Sequence, residues 1–136
     1  MVLVVSSSGF DCALRLWTTV APYRDRKAAT IAWRLVPADR HNRIRHYWDG
    51  SRYMGFVTWA WFTEREFETN DYSGPDVFAR DSGEVLKIVD MIAPFGRRDV
   101  FRIAKDIRSH LSVLYPDTKF GLSHRRGRTG KYGRRS

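Results

Sequence analysis

The sequence predicts one mixed α/β (α+β) domain in which a mostly antiparallel sheet is flanked by helices. Three observations indicate this class: apolar residues recur at helical spacing in three segments, apolar and polar residues alternate around a hairpin turn, and one apolar, β-branched run is typical of a buried central strand. With 136 residues and a hydrophobic content of 43%, the chain is long enough to bury one core of this kind.

Three segments have the periodicity of helices. Residues 11–20 repeat apolar side chains at helical spacing, and Asp11 precedes them as a candidate N-cap. Residues 24–36 do the same, and Pro37 is expected to end that helix because it has no N–H to donate. Residues 98–115 give the clearest pattern. Their apolar residues are expected on one buried face: Phe101, Ala104, Ile107, Leu111 and Leu114.

The strands follow from alternation and from turn residues. Residues 44–48 alternate as a strand, Asp49-Gly50 predicts a hairpin turn, and 53–61 form the return strand. Residues 85–92 predict a central strand that is buried on both faces, and 118–122 predict a last short strand. Helices and strands therefore alternate irregularly along the chain. The simplest arrangement for this order is a mostly antiparallel sheet with helices packed on it.

Most of the net positive charge of the chain is concentrated at the C-terminus. The chain has 24 Lys and Arg against 15 Asp and Glu, and residues 123–136 hold six of these cations and no acid. We therefore divide the chain into a folded domain, 1–122, and a basic Arg/Gly-rich tail, 123–136. Such a tail is either a solvated end or a contact for an anionic partner: nucleic acid, an acidic protein or the subunits of an assembly.

Several classes of site and setting are disfavoured. No apolar run approaches the roughly 20 residues of a membrane helix, so no membrane insertion is expected. The single cysteine, Cys12, cannot form an internal disulfide, which favours a reduced, cytoplasmic setting. The four histidines lack the spacing of a zinc site, and no glycine-rich phosphate loop follows a strand. No bound metal or cofactor is expected.

Asp90 is the most informative residue of the predicted central strand. Strict alternation places it on the same face as Leu86, Ile88 and Ile92. A carboxylate in such surroundings is costly to desolvate unless a cation or a hydrogen-bond donor compensates it. Asp90 is therefore either a structural anchor for a nearby amide or arginine, or a functional acid or base beside a cleft. The pattern leaves both interpretations open.

Three short sequence motifs are specific enough to compare with those of known families. They are Gly55-Phe-Val-Thr-Trp59-Ala60, Ser82-Gly83-Glu84 and Asp90-Met-Ile-Ala-Pro-Phe-Gly96. Their order and spacing resemble those of the RTX toxin-activating lysine acyltransferases, the hemolysin-activating family, and the resemblance covers about residues 10–128. The chain is shorter than is usual for that family. It resembles a compact, diverged member of the kind expected in a bacteriophage or a mobile genome.

The resemblance implies a fold and an activity. It implies a GNAT-like fold and transfer of a fatty acyl group from acyl carrier protein, the donor substrate, to lysines of a protein toxin. Asp90 matches the family's catalytic Asp. Trp59 and the loop residues Pro94, Phe95 and Gly96 are implied to line the acyl groove. Arg125 stands near an arginine of the family's later strand, which makes it a further candidate for substrate binding.

One catalytic residue of the family is not matched. The family's His near the N-terminus corresponds to the stretch Ala21-Pro22-Tyr23-Arg24, so Tyr23 is the candidate at that place. His46 or His124 are candidates to replace the His in space. The alternative is a catalytically silent protein that binds within a large assembly such as a phage virion, or binds nucleic acid, through residues 123–136. Whether the chain is an active enzyme, and whether it forms a homo-oligomer, stays open at this point.

Overall fold

One six-stranded sheet organises the protein. The computed structural model describes residues 3–6, 8–20, 23–25, 27–69, 74–121 and 132–133. The strands lie side by side in chain order: β1 Leu3–Ser6, β2 Ile44–Asp49, β3 Arg52–Phe62, β4 Val85–Ile92, β5 Lys119–Gly121 and β6 Tyr132–Gly133. All neighbouring strands are antiparallel except β4 and β5, which are parallel. The predicted class, a mostly antiparallel sheet flanked by helices, is confirmed.

Helices cover both faces of the sheet. They are α1 Phe10–Thr19, α2 (α-helical Ala28–Thr30, π-helical Ile31–Leu35 and α-helical Val36–Arg40), α3 Glu64–Thr69 and α4 Arg97–Leu114, with 3₁₀ turns at Tyr23–Asp25 and Gly74–Ala79. Helices α1, α2 and α3 pack on one face, with Trp17, Leu35 and Phe67 in its core. Helix α4 packs on the other face through Ile103, Ile107 and Leu111. We call these the α1 face and the α4 face.

Several of the predicted helix boundaries are wrong. Helix α2 begins at Ala28 instead of residue 24, and a separate 3₁₀ turn occupies Tyr23–Asp25. Helix α2 continues through Pro37 instead of ending there, because a π-helical turn, with Val36 N–H bonded to the Ile31 carbonyl, lies directly before it. Pro37 then stands in the first turn of an α-helical segment, where its missing N–H is not needed. Helix α1 begins one residue before Asp11, with Gly9 at the N-cap position, so Asp11 lies in the first turn.

The buried side of α4 also differs from its prediction. The core residues Ile103, Ile107 and Leu111 lie on the inner side together with Asp99, whereas Phe101 is 66% exposed and Leu114 is also exposed. The apolar pattern of this helix contains two overlapping sets at helical spacing. Only packing against the sheet determines which set turns inward.

The hairpin and the central strand agree with the sequence, whereas strand β1 was not predicted. The hairpin between β2 and β3 turns at Gly50, whose φ of +60° suits the Asp49-Gly50 signal. Strand β4 is buried along nearly its whole length, as predicted for a central strand. Within the part of the chain that the structure describes, no helix combines the length and apolar composition that crossing a membrane requires. Of the predicted tail, only Tyr132–Gly133 is described, as the strand beside β5.

Candidate functional site

A β-bulge decides where Asp90 points. Thr58 of β3 lies opposite Asp90, but the next residue, Trp59, lies opposite Ile88, so Val89 is an extra residue of β4. Such an insertion reverses the alternation of side chains on the bulged strand. Asp90 therefore lies on the α1 face, beside Val89, whereas Ile88 packs on the α4 face. The prediction from strict alternation was wrong for this reason.

The first sequence motif holds this irregular register. The Thr58 hydroxyl accepts the backbone N–H of Asp90 at 3.0 Å and so compensates a donor that is buried next to the bulge. Gly55 has a φ of +153°, and a Cβ there would lie 2.1 Å from the carbonyl oxygen of Ile92. The motif residues Gly55 and Thr58 thus let β4 approach β3 closely and hold Asp90 in place.

Asp90 forms an ion pair beneath the helices of the α1 face. It is only 2% exposed, and its Oδ2 lies 3.1 Å from Nε of Arg34 in the π-helical stretch of α2. The Arg34 side chain is 23% exposed, so it links the buried carboxylate to the surface. The carboxylate is sealed from solvent rather than open beside a cleft, and its partner is an arginine, one of the two kinds of partner that the structural-anchor interpretation named. Sequence patterns gave no signal that Arg34 would be this residue.

A buried amine lies on the same face. Lys87 is 3% exposed, and its Nζ lies 5.0 Å from the ring centroid of Phe62 and 5.8 Å from that of Phe67. Desolvation, together with the charge of Arg34, lowers the pKa of Lys87 to about 8, although Asp90 opposes this shift. Lys87 was not predicted from the sequence as a site residue. Its signal was a lone cation inside the apolar run of β4, three residues before Asp90.

His46 does not replace the missing histidine beside Asp90. Both residues lie on the α1 face, but β3 separates their strands, which are about 10 Å apart at the usual strand spacing. The Nδ1 atom of His46 is hydrogen-bonded to the hydroxyl group of Tyr53 at 2.7 Å. Burial lowers the pKa of His46 to about 4, so its ring is neutral at physiological pH. His124 lies outside the described residues.

We expect the buried ring of His46 to make stability depend on pH. In the unfolded chain it takes up a proton near pH 6.5, whereas in the folded protein it does so only near pH 4. The free energy of unfolding therefore keeps its full contribution from His46 above about pH 6.5 and falls as the pH drops towards 4, by up to about 1.4 kcal/mol per pH unit.

Urea unfolding at a series of pH values measures this dependence of the free energy of unfolding on pH. His46→Phe is expected to flatten the slope between pH 5 and 6.5, and the matched variant His41→Phe, at an exposed position, is expected to keep it. An unchanged slope in His46→Phe would contradict the assignment.

The other predicted site residues lie in different places. The ring of Tyr23 packs edge-on against Trp17 at 4.9 Å, which places it in the cluster of the α1 face. Trp59 is buried on the α4 face, 6.0 Å from the ring of His110, and is thus on the opposite side of the sheet from Asp90. The catalytic role of Tyr23 and the substrate-binding role of Trp59 stay predictions.

The loop after β4 is at the surface. Pro94 and Gly96 are exposed, and Phe95 is 54% exposed, with the guanidinium of Arg52 lying 5.0 Å from its ring centroid. Gly96 takes the N-cap position of α4. Arg125 lies outside the described residues. The structure therefore brings Asp90, Arg34 and Lys87 together, and the implied groove residues stay predictions.

This arrangement of Arg34 and Asp90 is suited to stabilising a negative charge that develops during a reaction. A guanidinium oriented by a buried carboxylate is a preorganised hydrogen-bond donor, the kind of group that stabilises the oxyanion of acyl transfer. An amine whose pKa is near 8 can exchange a proton close to neutral pH. Among the described residues, no three His, Cys, Asp or Glu side chains form a group that could hold a metal ion.

Comparison with known proteins gives the family. No curated protein matches the chain. The family model HlyC, the RTX toxin acyltransferase family, matches residues 10–132 and so covers nearly all of the chain, including the strand, turn and loop motifs around Asp90. The match supports a general function as an acyltransferase of the toxin-activating kind. Because the family model and the motifs that position Asp90 agree over this length, the chain belongs to the RTX toxin acyltransferase family.

Proposed function

We propose that this protein transfers a fatty acyl group from acylated acyl carrier protein to the ε-amino group of lysines in a protein toxin, in the bacterial cytoplasm. The observation that carries the proposal is the position of Asp90. The family match includes its motif, and the carboxylate is buried with Arg34 as its ion-pair partner. A buried carboxylate paired with a partly exposed cation is costly to assemble, which favours a use beyond packing.

The reaction needs proton transfer and charge stabilisation. The lysine ammonium of the acceptor loses a proton, and the neutral amine attacks the carbonyl carbon of the thioester. A C–N bond forms and gives a tetrahedral intermediate with an oxyanion and a positively charged nitrogen. That nitrogen loses a second proton, the oxyanion collapses and the C–S bond breaks. The thiolate of the carrier leaves and takes up one of the two protons, the other is released to solvent, and the products are an amide and a thiol. The enzyme must therefore stabilise one oxyanion and assist the removal of two protons from the nitrogen.

We assign these tasks to residues of the α1 face. Arg34 donates hydrogen bonds to the oxyanion, and Asp90 acts as its positioning residue through the 3.1 Å contact. Lys87 accepts the first proton of the ammonium and returns it to the thiolate, because a pKa near 8 suits both directions of transfer, and the second proton of the nitrogen passes to solvent. In this assignment Arg34 and Lys87 together replace the catalytic His of the family.

The proposal is tested by a transfer assay with defined substrates. The purified protein is incubated with radiolabelled palmitoyl-acyl carrier protein and a lysine-containing fragment of an RTX toxin. The expected product is a labelled fragment whose acyl bond survives hydroxylamine, which cleaves thioesters but not amides. The rate should rise with pH and level off near pH 8. Lys87→Met should remove that inflection.

Two controls make the assay decisive. Palmitoyl-coenzyme A in place of the acylated carrier tests the donor, and a fragment with its lysines changed to arginine tests the acceptor. Failure to label any lysine with a folded protein would overturn the proposal and favour a silent member of the family. Equal use of both donors would overturn the assignment of acyl carrier protein as the donor.

A further inference from the structure

The outer side of α4 has an unusual composition. Phe101 is 66% exposed, and its helical neighbours at i−4, i−3, i+4 and i+7 are all exposed cations. These cations are Arg97, Arg98, Lys105 and Arg108. With 3.6 residues per turn, the five side chains fall within about 100° of the helix circumference. We call this the basic–aromatic face of α4.

The acids of α4 do not offset this charge at the surface. Asp99 is buried and lies 3.1 Å from the guanidinium of Arg52. Asp106 accepts hydrogen bonds from Arg45 at 2.8 Å and from the Tyr47 hydroxyl at 2.7 Å, on the inner side of the helix. Both carboxylates are therefore directed towards the sheet and compensated there. The exposed charged residues of α4 are all positive.

Helix stability does not explain this arrangement. Arg97 and Arg98 stand in the first turn of α4, where the helix macrodipole disfavours cations. An exposed phenylalanine also gains little from folding. Aromatic and arginine side chains are, in contrast, enriched where proteins bind partners. The face thus combines an apolar anchor with surrounding charge, a combination that suits a partner with an acidic surface.

We propose that the basic–aromatic face of α4 is the docking surface for the acidic acyl carrier protein that delivers the thioester. This inference rests on the proposed function, which supplies the partner. Charge complementarity supports this pairing, because the carrier is strongly acidic and every charged residue of the face is positive. In every turnover the carrier must also bind with its acyl group attached and dissociate after the acyl group has been transferred. Interfaces steered by charge give the rapid association that this cycle needs.

The loop after β4 connects this face of α4 with the strand of Asp90. Helix α4 begins at Arg97, directly after the turn Pro94–Gly96 that leaves β4, the strand of Asp90. The N-terminal end of a carrier-binding face that runs from Arg97 to Arg108 is therefore close to the loop that the family resemblance implicates in binding the acyl chain. The docking surface belongs to the helix on the α4 face of the sheet, whereas Arg34 and Lys87 lie on the α1 face, so the acyl group of a docked carrier has to pass around the end of β4 at this loop.

The test compares two triple charge reversals with the same change in net charge. The first variant, in the face, is Arg98→Glu/Lys105→Glu/Arg108→Glu. The matched control, at exposed positions of α1, α2 and α3, is Arg15→Glu/Arg40→Glu/Arg65→Glu. Thermal unfolding checks that both variants fold. Arg98→Glu is expected to leave the unfolding temperature unchanged or to raise it slightly, since an acid suits the first turn of a helix.

Binding is measured directly, without catalysis, by fluorescence anisotropy of labelled acyl carrier protein. At about 50 mM salt the face variant is expected to bind at least about tenfold more weakly than the control, and at about 500 mM salt this gap should shrink because charges are screened. Phe101→Ala should weaken binding at both salt concentrations, whereas Val113→Ala, at another exposed apolar position of α4, should not. Equal affinity in the two triple variants would overturn the inference.

Kinetics separate this inference from the proposed function. In the transfer assay the face variant should raise KM for the acylated carrier about tenfold and leave kcat and the KM for the toxin fragment unchanged. A raised KM for the fragment alone would assign the face to the acceptor and overturn the inference. If the wild-type protein binds the carrier more tightly than the face variant does but transfers nothing, the proposed function fails and the docking surface stands. If transfer proceeds and the face variant binds normally, the docking surface fails and the proposed function stands.

Discussion

Asp90→Asn is expected to lower the rate of acyl transfer at least about 100-fold and to lower the free energy of unfolding by about 2–3 kcal/mol. The rate falls because Arg34, 3.1 Å from the carboxylate, loses the charge that orients it. Stability falls because the partly buried guanidinium is left uncompensated. Its partial exposure keeps this cost at or below the lower end of the range for fully buried pairs. The transfer assay and urea unfolding measure the two effects.

A double variant separates catalysis from stability. Asp90→Asn combined with Arg34→Met removes both charges, so much of the lost free energy of unfolding should return while transfer stays lost. The ion pair between Arg45 and Asp106, at 2.8 Å against the α4 face, provides a matched control. Asp106→Asn should destabilise the fold by about 1–2 kcal/mol and leave transfer unchanged. A folded Asp90→Asn protein with at least half the wild-type rate would show that Asp90 has no part in the reaction.

Gly55→Ala is expected to prevent stable folding. A Cβ at this position would lie 2.1 Å from the carbonyl oxygen of Ile92, which belongs to the backbone of β4 and cannot rotate away. The φ of +153° adds strain for any residue with a side chain. Relief would require β3 and β4 to separate beside the bulge, at a cost of at least about 4 kcal/mol. Circular dichroism and urea unfolding should show loss of the cooperative transition.

Gly50→Ala is the matched control. Gly50 also has a positive φ, +60°, but a Cβ there meets no atom within 4 Å. Its substitution should cost only about 1 kcal/mol, the strain of a left-handed backbone without a clash. If Gly55→Ala unfolded at the same urea concentration as Gly50→Ala, the close approach of β3 and β4 would not be essential to the fold.

The spacing of apolar residues and the turn residues were sufficient to predict most of the helices and strands. The hairpin at Asp49-Gly50, strand β4 and helix α4 were predicted because each depends on neighbours in the chain. The end of α2 was not predicted, since a π-helical turn accommodates Pro37. The inward side of α4 was predicted only in part: Ile107 and Leu111 are buried, whereas Phe101 is exposed, because two apolar sets compete for this side and only contact with the sheet selects between them.

The candidate site was predicted in part. The motif resemblance led to Asp90, and the family match over residues 10–132 agrees with that resemblance. Arg34 and Lys87 were missed. Arg34 is distant in sequence and meets Asp90 only when α2 packs on the sheet. Lys87 is odd-numbered and Asp90 even-numbered, so strict alternation placed them on opposite faces, and only the extra residue Val89 brings them to one face.

The sequence by itself determined the class of fold, the order of most elements and the motifs that identify the family, because local periodicity and turn chemistry are properties of neighbouring residues. The tertiary structure alone decided which charges meet. A single inserted residue in β4 turns Asp90 towards Lys87 and Arg34, and packing turns Phe101 outward among cations. Side-chain direction depends on the register of paired strands and on helix packing, and neither is set by spacing along one segment.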